Sequence, residues 1–152
     1  MTAPFVVIGI GNTLRRDDGV GHAVVEVLRE HADPAEIELS TCHQLLPECV
    51  VSLEGRRGVV FVDATVERPA GEIGTRAVEA DAEPWRWGHQ LRPETVLGLL
   101  DDTSRPAALV VGIGAADFDY GEELGKPVRA AVPAAVEAIL TWTRTVDTTA
   151  ST

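Results

Sequence analysis

The chain has 152 residues, 45% of them hydrophobic, which is enough to close one substantial core and makes a single domain the expectation. Its 13 Lys and Arg stand against 24 Asp and Glu for a formal net charge of -11, a surface that repels polyanions, so nucleic acid is excluded as an expected partner. Apolar runs such as FVVIGIG and ALVVGIG are too short to cross a bilayer, and the start shows no basic segment with a cleavable apolar stretch, so no membrane association and a cytoplasmic location are expected.

In chain order, FVVIGIG (5–11) is a continuous apolar, β-branched run ending in glycines, the pattern of a strand buried on both faces. An acidic loop follows, then VGHAVVEVLREH, where Val20, Val24, Val25, Val27 and Leu28 share one helical face. EIELS (36–40) alternates as a second strand. LPECVVSLEG reads as a short helix closed by Gly55, and GVVFVDAT (58–65) as a buried strand ending in an aspartate. GEIGTRAVEA (71–80) suits an edge strand, because its apolar positions are sparse and glycines break it.

RPETVLGLLDD (92–102) has proline near a helix start, AALVVGIG (107–114) is the last buried strand, and KPVRAAVPAAVEAILTWT (126–143) is a helix kinked or begun at Pro133. The domain is placed at residues 1–144, with 145–152 a flexible tail that has nothing to bury. Strands alternating with helices predict an α/β fold: a mostly parallel twisted sheet of about five strands with helices on both faces.

In such sheets ligands bind beyond the carboxyl ends of the strands. Asn12, Asp17 and Asp18 follow the first strand, Asp63 ends the third, and His89 of WGHQLRPE precedes a helix, so all can reach that edge. Two carboxylates and an imidazole there would suit nickel, zinc or another first-row divalent ion, and would disfavour a phosphate. Plainer roles compete with each assignment. Asp17 or Asp18 can cap the following helix while its neighbour is simply solvated. His89 can be a structural histidine, and His43, in a second His-Gln-Leu triplet after the EIELS strand, is the rival imidazole. A charged Asp63 closing VVFVD is costly without a partner, which favours a working role.

Other chemistries find little support. GIGNTL carries two glycines of a dinucleotide fingerprint but Leu14 in place of the third, and neither Gly-Lys-Ser/Thr nor Gly-x-Ser-x-Gly occurs. Cys42 and Cys49 match no paired zinc spacing and are expected as free thiols. Cys42 and His43 are neighbours on an extended chain and point to opposite faces, which separates a thiol from its base.

Taken together, GIGNTLRRDDGVG (9–21), VVFVDAT, GHQLRPETVLGLL and VVGIGAADFDYGEELGKPV resemble, in that order, the nickel–iron hydrogenase maturation endopeptidases, from about Val6 to Leu140. The resemblance implies removal of the C-terminal extension of a hydrogenase large-subunit precursor after nickel insertion, beyond a His or Arg of the substrate's metal-binding motif. It implies metal-binding and catalytic roles for Asp18, Asp63 and His89. It also implies that the enzyme keeps no resident cofactor, because the nickel arrives in the substrate; a monomer is expected separately from the resemblance. A metal-bound water with a carboxylate as base would then cut the peptide, and the glycines at 9, 11, 19 and 21 would let the substrate backbone approach. Two alternatives stand beside it: a peptidyl-tRNA hydrolase-like esterase, with His22 following a similar Gly-x-Gly-Asn loop, and a non-catalytic chaperone for the nickel-loaded precursor.

Overall fold

The computed structural model describes residues 2–84 and 91–150. Five strands form the sheet: β1 (Phe5–Ile10), β2 (Ile37–Cys42), β3 (Gly58–Thr65), β4 (Ile73–Ala77) and β5 (Ala107–Gly114). Their order is β2-β1-β3-β5-β4, all parallel except β4, which runs antiparallel at one edge. The expected α/β architecture and the edge position of β4 are both found.

Alternation along the strands divides the core into two layers. Phe5 and Val7 of β1, Val60 and Val62 of β3, and Leu109, Val111 and Ile113 of β5 pack with α1 (Val20–His31) and α4 (Lys126–Ala150). Val6, Ile8, Val59 and Phe61 face the other way, toward α2 (Cys49–Leu53) and α3 (Pro93–Gly98). Because both faces are covered, the central strands read as unbroken apolar runs instead of alternating ones.

Helix α4 continues through Ala150, past the boundary expected at residue 144. Partners absent from the local pattern hold this end: Val146 packs on the core and Arg57 pairs with Asp147, while the hydroxyls of Thr145, Thr148 and Thr149 bond carbonyls one turn back in the same helix. The helix also runs through Pro133 without ending there. Among the described residues, no helix is long and apolar enough to cross a membrane.

From β1 the chain moves to β2 on one side, then crosses to β3 on the other. The crevice between the carboxyl ends of β1 and β3 is therefore the switch point of the sheet, where open α/β folds bind their ligands. The loop carrying Asp18 leaves β1 at this crevice and Asp63 lies near the end of β3.

Candidate functional site

Glycines fix how closely α1 approaches the strands. A Cβ on Gly9 would lie 2.4 Å from the Gly21 carbonyl oxygen, and one on Gly21 would lie 2.6 Å from that of Val62. Gly11, at φ +141°, leaves only 1.9 Å between such a Cβ and the Asp18 carbonyl oxygen. The space these glycines open is filled by the protein's own backbone, which corrects the expectation that they admit a substrate chain. Their effect is to seat the loop, with Asp18 on it, directly against β1 and β3.

The two aspartates of the loop have different roles, and neither caps α1, whose first residue is preceded by Gly19 with no side-chain cap. Asp17 is 2% exposed and accepts three backbone hydrogen bonds, from Ala116 (3.0 Å) and Asp117 (2.9 Å) on one oxygen and from Gly125 (2.7 Å) on the other. It ties the loop after β1 to the loop after β5. Burial alone would raise its pKa, but these donors, with Arg16 beside it, hold the carboxyl below its ordinary value.

Asp18 is half-buried and turns toward the crevice. One of its oxygens accepts the Asn12 N–H at 2.8 Å, while the Asn12 side chain accepts the Leu14 N–H at 2.9 Å and shapes the turn. Asp63 accepts the Ala64 N–H at 2.9 Å on one oxygen. Among the described residues, no donor is bonded to the second oxygen of either carboxyl. Burial pushes the pKa of Asp63 up to about 6; the Ala64 N–H opposes this and the nearby negative charge of Asp18 adds to it. The two carboxylates thus sense one another across a cleft of about 320 Å³ that Gly11, His43, Leu45 and Pro93 also line.

His89 lies outside the described residues. The rival imidazole, His43, does line the cleft, but its side chain is exposed, and among the described residues no three His, Cys, Asp or Glu side chains are grouped tightly enough to hold an ion. His22 is occupied elsewhere. Its Nε2 lies 2.9 Å from the Gly11 carbonyl and 3.2 Å from that of Cys42, and since carbonyls only accept, Nε2 carries the hydrogen and ties β1 to β2. Replacing His22 by Ala is expected to cost about 1–2 kcal/mol in urea unfolding, the loss of one half-buried tie between two carbonyls.

Both cysteines are free thiols, as expected. Burial, with Cys49 and Asp63 nearby, raises the Cys42 pKa to about 11, so its thiol stays protonated near neutral pH and offers no thiolate nucleophile.

No protein-family model and no curated sequence matches this chain. Solved structures do. The hydrogenase maturating endopeptidase HybD from E. coli is 23% identical, with a TM-score of 0.74 over 92% of this chain and 91% of its own. A nickel–iron hydrogenase maturation protease, HycI from Thermococcus kodakarensis, is 21% identical, with a TM-score of 0.70 over 94% and 93%. The hydrogenase 2 maturation peptidase from Thaumarchaeota archaeon is 25% identical, with a TM-score of 0.67 over 90% and 96%. Along nearly its whole length, this chain has the fold of the hydrogenase maturation peptidases.

Proposed function

We propose that the protein is an endopeptidase that removes the C-terminal extension of a nickel–iron hydrogenase large-subunit precursor once nickel has been inserted. The observation that carries this reading is the pair Asp18 and Asp63. Two carboxylates, each with an oxygen that no described residue bonds, face one cleft at the switch point of a fold shared with maturation peptidases. Carboxylate oxygens are suitable donors for a first-row divalent ion, and here that ion is the nickel carried in by the substrate. His89 completes the proposed set.

Chemistry at the pair follows from the unequal environments of its members. Before the nickel-loaded substrate arrives, burial holds the pKa of Asp63 at about 6, so the carboxylate is mostly ionised at neutral pH and suited to accept a proton as a general base. A water held between the substrate's nickel and Asp63 is then the nucleophile, and neither a thiolate nor an activated serine is required. Tight binding of free metal is not expected from two carboxylates and one imidazole without the substrate's own ligands.

The test is to incubate the protein with nickel-loaded hydrogenase large-subunit precursor and weigh the product by mass spectrometry. A large subunit shortened at its C-terminus is expected. An intact precursor that nevertheless co-elutes with the protein would instead support the non-catalytic chaperone.

A further inference from the structure

Asp63 is the wall between two clefts. Ile10, Asp63 and Pro93 line the one that holds Asp18, and the same three line a second, of about 270 Å³, on the side of β4 and β5. Among the described residues, the charged side chains of this second cleft besides Asp63 are Glu67, Arg68 and Arg76. Gly74 of β4 and Gly112 of β5 are register partners, so the sheet surface has no side chain at either position. The Arg68 guanidinium lies over the first of them: a Cβ on Gly74 would come within 2.1 Å of its Cζ.

The two arginines are held differently. Arg76 is paired with Glu94, whose side chain is 21% exposed. Among the described residues Arg68 pairs with Glu72 alone, at 3.2 Å, and both side chains are open to water. Such a surface pair contributes little and is readily exchanged for another carboxylate. The cleft lining balances Asp63 and Glu67 against the two arginines, so no positive field draws an anion in; what the site offers is a direct contact, because Arg76 is taken by the half-buried Glu94 while the Arg68 guanidinium keeps donors facing the depression.

We propose that Arg68, lying over Gly74, determines specificity by binding a carboxylate of the substrate peptide on one side of the bond to be cut. This deepens the peptidase reading and rests on it for the identity of the peptide. An acidic side chain and the peptide's terminal carboxylate present the same chemistry to the guanidinium. A charge-assisted, bidentate contact of this kind is expected to change affinity by about tenfold.

Short probe peptides test this without any need for cleavage. Acetylated, C-terminally amidated five-residue alanine peptides with a central Glu, Gln or Lys, and an acetylated five-residue alanine peptide with a free carboxylate, would be titrated while the Arg68 Nε–H and Gly74 amide signals are followed by NMR. Preference for the amidated Glu peptide over Gln by about tenfold would assign a side-chain carboxylate, and preference confined to the free carboxylate would assign the terminus. Either supports the proposal if Arg68→Glu reverses it toward Lys. Gly74→Ala keeps the arginine but displaces its guanidinium, and should weaken binding in the same direction. Charge-independent binding, or no shift at Arg68 and Gly74 with any probe, would overturn the assignment. Carboxylate binding by a protein that leaves nickel-loaded precursor intact would overturn the peptidase reading instead and leave the anion site standing.

Discussion

Replacing Asp63 by Asn is expected to lower precursor cleavage by at least ~10³-fold while the protein remains folded, because it removes the proposed base and an anionic ligand with almost no change in volume. Stability should move the other way. The folded protein holds the Asp63 proton more tightly than the unfolded chain, with a pKa of about 6 against 3.8, so stability contributed by this group is full below pH 4 and falls as pH rises to 6. Above that window the charged carboxylate costs on the order of 2–3 kcal/mol, which the neutral amide avoids. A variant that melts about 5 °C higher than wild type at pH 7.5, but not at pH 4, and cleaves nothing is the expected result. A variant that melts lower, yet cleaves whenever it is folded, would make Asp63 a structural residue.

Asp17→Ala should have the largest effect on the fold. It strands the N–H groups of Ala116, Asp117 and Gly125 in a site that is 2% exposed, for a cost of about 3–5 kcal/mol and a drop of roughly 10–15 °C in melting temperature. Its pH dependence is opposite to that of Asp63. Because the folded pKa of Asp17 is lowered, its stabilisation is full above the ordinary value of 3.8 and is lost as pH falls below it. The gap between the thermal melts of wild type and variant, followed from pH 3 to pH 8, should therefore narrow as pH falls below 3.8, by the part of the stabilisation that depends on the carboxylate charge. Parallel curves across the whole range would show that the three hydrogen bonds do not depend on the carboxylate charge.

The contrast between Asp63 and Asp17 shows what a sequence of this kind can and cannot reveal. The central strands are legible because burial on both faces leaves them as apolar runs, and α1 follows its apolar face from Val20 to His31. Asp63 is conspicuous because a charge ending such a run needs a reason. Asp17 is not legible: its partners lie 99 to 108 residues away, and no local pattern tells which of two neighbouring aspartates turns inward. The same holds for α4, whose final turns rely on Arg57 and the core, and for Arg68, whose place over Gly74 depends on where the chain returns to form β4. Glycines 9, 11 and 21 were visible, but the tightness of the helix against the strands that uses them was not.

The most direct test of the proposed mechanism asks where the nickel resides. Enzyme stripped with a chelator, shown by metal analysis to be metal-free and by circular dichroism to be folded, would be mixed with nickel-loaded and with nickel-free precursor, and the product masses compared. Shortening of the nickel-loaded precursor alone, at the rate of untreated enzyme and absent with Asp63→Asn, is the result expected if Asp18 and Asp63 act on an ion delivered by the substrate. If the stripped enzyme fails on nickel-loaded precursor and recovers only when zinc or nickel is returned to it in stoichiometric amount, the ion belongs to the enzyme and the mechanism is that of a self-sufficient metallopeptidase.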